Sequence, residues 1–283
     1  MSLKGIGMVD FTTIIAIDEH HTNELQLAWR SWEHFKPEIV KSPIIIIYDD
    51  MQVDPEEGWL GEISENFDIT FIPWHPPEGL YKDQREKMLT SFFKAVEYVQ
   101  TPWYLKIDTD CIATNHDKGW LNPDFFVDDP VFVSNPWGYT KPNNTFDIMD
   151  DWADELDAFR GSSRLNLPYD SLSDLVRHNR IISWVYFGNV GWTNTMSYIC
   201  QDSEGNYKLP FPSQDTYMWY CAERMNRHYK RIKFKKFGFE HWHNMKRIRN
   251  RVQELLGRLG TYKYIDIHQA VGQALSLAKK YKE

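Results

Sequence analysis

Two aspartates one residue apart, Asp108 and Asp110, close the run YLKIDTDCIAT (104–114). An apolar climb ending in paired acids sets two carboxylates where a strand gives way to a turn. Carboxylates gathered this closely repel unless a cation or several donors neutralise them. Their hard oxygens suit Mg2+ or Mn2+. Asp also bonds its own nearby backbone in turns, so the pair alone leaves a metal clamp and an Asx turn both open. Asp49 and Asp50 end a second apolar run, SPIIIIYDD (42–50), in the same way. Further along stand Asp215 in PSQDTYMW and the pair His241 and His243 in EHWHN. Histidines at i and i+2 on extended chain face the same side, and an imidazole added to two carboxylates favours Mn2+ over Mg2+.

Alternating strand and helix patterns must position these groups. FTTIIAI (11–17) reads as a buried strand, and residues 21–35 as a helix with Leu25, Leu27, Ala28 and Trp32 on its apolar side. Four consecutive isoleucines in 42–50 imply a strand covered on both faces, hence central in a mainly parallel sheet. A weaker strand follows at 67–74, a helix at 82–99 with Met88, Phe92, Ala95, Val96 and Val99 along one face, and a strand at 103–108. This β-α-β-β-α-β order predicts a doubly wound α/β sheet, whose ligands gather beyond the carboxyl ends of the strands. The second half predicts helices at 147–159 and 170–179, and a strand entering a Gly-containing turn over 181–194. A Ser-capped helix over 213–225 and a strand over 230–239 follow. Two terminal helices, 245–259 and 267–282, carry stripes such as Ile248, Val252, Leu255 and Leu259, which pack on the domain or in a homodimer.

The bulk properties fit a folded chain with a real core: 283 residues, 42% hydrophobic and 25% charged. Twelve tryptophans exceed what such a core needs, and flat rings with a polar tip stack well on sugars and bases. Net charge is -8, but from residue 224 onward sixteen Lys and Arg face four Asp and Glu. That basic end reads first as a charge-mixed helical surface. A phosphate-contacting surface through Lys233, Lys235 and Lys236 is the nucleic-acid alternative. Three scattered cysteines exclude a disulfide framework or a zinc knuckle. No run is long enough to span a bilayer and none reads as a leader, which leaves a cytoplasmic expectation.

Three chemistries use a D-x-D at a strand end. The phosphatases of the haloacid dehalogenase type carry it after the first strand, whereas here it follows the fourth and continues Cys-Ile. Nucleotidyltransferases on a related sheet need a Gly-rich loop, and the segment IDEHHTNE after the first strand has no glycine. The run QREKMLTSFFKAVEYVQTPWYLKIDTDC (84–111) resembles the core of the GT-A fold glycosyltransferases, nearest in layout to the family 2-like, inverting members. The resemblance implies an α/β GT-A catalytic domain over 1–245, with a nucleotide-sugar half (about 1–135) and an acceptor half (about 136–245). A C-terminal helical segment, 246–283, would follow.

The resemblance also implies roles. Asp108, Thr109 and Asp110 would hold the donor diphosphate and its Mn2+ or Mg2+, with His243, or else His241, completing the metal site. Ile17, Asp18, Asp49 and Asp50 would contact the base and ribose of the donor, expected to be UDP-linked. Lys82, Arg85 and Lys87 would meet the diphosphate or base. Trp184, Gly188, Asn189, Trp192 and Gln214 would line the side of the hydroxyl acceptor, a saccharide or other molecule. Asp215 would be the base of an inverting transfer, or a bystander if the route is retaining. Gln214 stands where the family has an acid, and Asn189 where many members have a glycine. Two other readings stay open: a carbohydrate-binding or inactive relative, and a glycosyltransferase acting on modified DNA bases.

Overall fold

The computed structural model describes residues 9–18, 21–48, 54–81, 84–136, 181–207, 218, 222 and 227–241. The four isoleucines of Ile44–Tyr48 (β2) are all buried, and β2 lies between two parallel neighbours. One neighbour is Phe11–Ile17 (β1) and the other Ile69–Pro73 (β3). On its far side β1 pairs in parallel with Trp103–Ile107 (β4). Crossing from β1 to β2 through a helix and from β3 to β4 through another makes the two halves wind in opposite senses from β1. Between β1 and β4 lies the switch point where such sheets bind ligands.

The sheet then turns antiparallel. Ile181–Asn189 (β7) runs against β4, and Phe132–Pro136 (β6) against β7. Lys230–Arg231 (β8) closes the order β3-β2-β1-β4-β7-β6-β8. A separate two-stranded ribbon joins Cys111–Ala113 (β5) to Phe239–His241 (β9).

Helices cover the sheet with the faces their periodicity sets. In Thr22–Phe35 (α1) the buried face is Leu25, Ala28, Trp29 and Trp32, and Leu27 is only half-buried. The short helix Pro37–Lys41 (α2) follows, and Trp59–Ser64 (α3) precedes β3. Gln84–Val96 (α4) drives Phe92, Phe93, Ala95 and Val96 into the main core beside Ile14, Ile45 and Tyr104.

The segment read as a strand and turn over 181–194 is instead β7 followed directly by a helix, Val190–Cys200 (α5). Gly191 and its β-branched neighbours obscure the helix, yet Trp192, Met196, Ile199 and Cys200 are buried at helical spacing. Asn189 caps it, its Oδ1 accepting from the Trp192 N–H at 3.0 Å.

The expected strand over 230–239 is broken as well: Phe234–Phe237 forms a 3-10 turn. Gly238, at φ +82, then redirects the chain into β9. Met218 and Ala222 are helical and buried within the predicted 213–225 helix. The chain divides into a unit Met1–His241 and a unit Trp242–Glu283. The predicted helices at 147–159, 170–179, 245–259 and 267–282 lie outside the described residues.

Candidate metal and donor site

Asp108 follows the last residue of β4 and is held on two sides by backbone. Its N–H donates to the Trp184 carbonyl of β7 at 2.9 Å, and its carbonyl accepts from the Cys111 N–H at 3.0 Å. The second bond closes a tight turn, with the Thr109 side chain packed inward and Asp110 on the outside edge. The chain leaves that turn as β5, whose partner β9 sets Cys111 opposite His241. Register alone therefore delivers an imidazole to the acid one residue upstream. His241 Nε2 lies 3.1 Å from Asp110 Oδ1.

One oxygen each from Asp108 and Asp110 and one nitrogen of His241 lie within 4.8 Å of one another. An ion with bonds of about 2.1 Å holds neighbouring ligand atoms roughly 3 Å apart and opposite ones roughly 4 Å apart. The three donors therefore need only a small inward movement, and two carboxylate oxygens with one imidazole suit Mn2+. The side chains remain about a fifth to a third exposed, so a ligand can reach them.

Two supports fix these side chains. The Trp184 indole stacks on the His241 ring, with centroids 5.5 Å apart and planes 3° from parallel. Trp184 thus meets both ligand-bearing segments, Asp108 through its carbonyl and His241 through its ring. From below, α1 holds the ribbon by polar contacts. Trp32 Nε1 donates to the Cys111 carbonyl at 2.8 Å, and the Ala113 N–H donates to Ser31 Oγ at 3.0 Å. Lys36, at the end of α1, donates to Asn115 Oδ1 at 3.3 Å and to the Asp117 carbonyl, and lies over the Phe239 ring. Burial lowers its pKa from 10.5 to about 8, with Asp117 and Glu38 opposing the shift.

Lys106 comes from the same face of β4 as Asp108, and its ammonium contacts Asp108 Oδ1. The Cys111 thiol lies beneath the turn, raised well above its ordinary pKa by burial and by the charges of Asp108 and Asp110.

The other expected contacts divide. Asp18 sits at the rim just after β1, and His21 Nδ1 donates to its carboxylate at 2.6 Å. Ile17, the last residue of β1, is fully buried. Lys87 lies half-buried on α4, where its carbonyl accepts from Trp74 Nε1 at 3.2 Å. Arg85 occupies the first turn of α4. Asp49, Asp50, Lys82, Gln214, Asp215 and His243 lie outside the described residues.

Gly188, Asn189 and Trp192 are not brought to the acids. Because β7 runs antiparallel to β4, Gly188 and Asn189 stand opposite Tyr104 and Trp103, at the start of β4. Asp108 follows its end, roughly 15 Å away at about 3.3 Å per residue. Trp192 is buried in the first turn of α5 under the Arg227 guanidinium. Of the expected acceptor-side group, Trp184 alone among the described residues touches the acid cluster. Lys106 was missed: a lysine inside an apolar run two residues before the first acid is a legible signal, since i and i+2 share a strand face.

Comparison with solved structures agrees with this topology. Core-mannan synthase A (CmsA/Ktr4) from Aspergillus fumigatus, in its Mn/GDP form, matches 85% of this chain and 76% of its own, with TM-score 0.52 and 13% identity. The galactosyltransferase LgtC, in complex with donor and acceptor sugar analogs, matches 74% of this chain and 69% of its own at TM-score 0.43 and 13% identity. The glycosyltransferase GlyE from Streptococcus pneumoniae TIGR4 matches 95% of this chain at TM-score 0.49 and 10% identity. This chain spans 64% of the GlyE length. No protein family and no curated protein sequence matches the chain. The likeness to core-mannan synthase A shows that the chain has the GT-A fold. Among the described residues no helix is long and apolar enough to cross a membrane.

Proposed function

We propose that the protein is a metal-dependent glycosyltransferase that moves a sugar from a nucleoside diphosphate to a hydroxyl acceptor. The observation that carries this is the meeting of Asp108, Asp110 and His241 at the carboxyl end of β4, beside the switch point of a GT-A sheet. That rim is where such sheets take nucleotides. In this reading Asp108 and Asp110 each present one oxygen, and His241 presents Nε2 without its proton. Trp184 keeps the imidazole plane fixed. A bound Mn2+ or Mg2+ supplies Lewis acidity to the leaving diphosphate.

Asp18 faces the donor from the end of β1, with Asp49 and Asp50 following β2. Asp215 takes the acceptor proton as the hydroxyl oxygen bonds to the anomeric carbon and the bond to the diphosphate oxygen breaks, which inverts the centre. Met218 and Ala222, helical and buried, fall in the stretch after Asp215 that the sequence reads as a helix. UDP-linked donors are the first choice from the family resemblance, and the Mn/GDP form of core-mannan synthase A puts GDP-linked donors beside them.

The test is a thermal-shift panel of UDP- and GDP-sugars with and without Mn2+. A donor at a hundred times its Kd adds about 2.7 kcal/mol, so one donor should raise the midpoint only when Mn2+ is present. Asp110→Asn should abolish that shift while keeping the unliganded midpoint. Absence of a metal-dependent response to every donor would refute the reading.

A further inference from the structure

Lys106 is the cation already at the acid cluster. It occupies the fourth position of β4, between Ile14 of β1 and Tyr186 of β7, so its stem is fixed by central strands. Its side chain is 12% exposed and its ammonium meets Asp108 Oδ1, on a carboxylate of the candidate metal cluster. An ammonium and a dication sharing one partly buried carboxylate repel each other. A metal arriving alone must therefore share Asp108 with a cation or displace it, and either is costly in a site screened from water. A diphosphate changes this balance, because its oxygens can accept the ammonium that Asp108 releases.

Building on the functional reading above, we propose that Lys106 is an internal counter-ion that exchanges Asp108 for the diphosphate, so that metal and nucleoside diphosphate bind as a coupled pair. Lys106 is then a positioning residue. It keeps Asp108 neutralised and in place before substrate arrives, and it disfavours metal without nucleotide. Coupling of this kind is reciprocal: whatever factor nucleotide adds to metal affinity, metal adds to nucleotide affinity.

The test follows free Mn2+ by electron paramagnetic resonance during titration of the whole chain, alone and with saturating UDP or GDP. Lys106→Met keeps the length and removes the charge, while Lys106→Arg keeps the charge. The wild type and Lys106→Arg should bind Mn2+ weakly alone and at least roughly ten-fold tighter with nucleotide, within the usual range of coupling. Lys106→Met should bind Mn2+ alone about ten-fold tighter than wild type, and the gain from nucleotide should shrink by a similar factor. Unchanged Mn2+ affinity in Lys106→Met, or an unchanged nucleotide gain, overturns the proposal. If the wild type takes up no Mn2+ even with nucleotide, the functional reading falls and this inference falls with it. A far-UV dichroism spectrum matching wild type confirms that each variant has folded.

Discussion

Gly188 offers the sharpest test of what its segment does. As an acceptor-side turn, FGNVGW would need a glycine so that substrate could approach. In the fold the same glycine pairs with Tyr104 across β4 and β7, and the Tyr104 ring lies over it. A Cβ at residue 188 would stand 2.0 Å from Tyr104 Cζ and Oη and 2.6 Å from Cε1. That is roughly 1.5 Å inside ordinary carbon contact. The ring has no room to retreat: it is fully buried against Phe92 and Tyr186, and its hydroxyl shares a 2.9 Å hydrogen bond with Thr193.

Overpacking of this sort costs about 1–3 kcal/mol. Pulling the buried hydroxyl from Thr193 adds about 1–3 kcal/mol. Gly188→Ala should therefore destabilise by about 2–6 kcal/mol, less about 0.5–1 kcal/mol from replacing glycine within a strand. At about 2–4 °C per kcal/mol for a domain of this size, the midpoint should fall by roughly 10 °C. The assay is thermal and urea unfolding of a double-mutant cycle with Tyr104→Leu, which deletes all three clashing atoms. In that background Gly188→Ala should cost under about 1 kcal/mol, a coupling of about 2 kcal/mol or more. Equal losses in both backgrounds, or a midpoint within about 2 °C of wild type, would refute the packing account. A stable Gly188→Ala that had lost acceptor turnover would restore the substrate role.

Trp184→Ala should leave Asp108 in place, since that link uses the backbone carbonyl, but release the His241 ring. Mn2+ affinity should fall about 10–100-fold, as for other groups that orient a metal ligand, with partial recovery in Trp184→Phe. Equal affinity in all three proteins would show that the stack does not orient the ligand. For Lys36 the sign follows from a folded pKa of about 8 against 10.5. Between those values the unfolded chain holds more protons, so this group adds stability as pH rises and withholds it below about 8. Tyr104 and Tyr207, whose phenols burial pushes upward, oppose this only above pH 10, where the unfolded phenols ionise first. From pH 7 to 9.5 the urea midpoint of wild type should therefore gain on that of Lys36→Met. A constant difference across that range would contradict a buried, depressed lysine.

The chain's own residue order was enough to establish the first half of the sheet and the acids at its rim. Continuous apolar runs, with four adjacent isoleucines among them, and the helical spacing of Phe92, Ala95 and Val96 are local signals, and burial on two faces leaves such a pattern little choice. Asp108 and Asp110 were legible for the same reason, as polar residues ending an apolar run. What lay beyond sequence was direction and register. Whether 181–189 ran along or against β4 decided that Trp184, and not Gly188 or Trp192, would stand beside Asp108. The pairing of Cys111 with His241 brought that imidazole to Asp110, although a strand of three residues carries almost no periodicity of its own. Lys106 sat in plain view in WYLKID, but its meaning depended on an ammonium and a carboxylate meeting on one face of a central strand. Side-chain type is a local property that sequence determined. Proximity across strands is set by hydrogen-bond register over long chain separations, and the tertiary structure alone decided it.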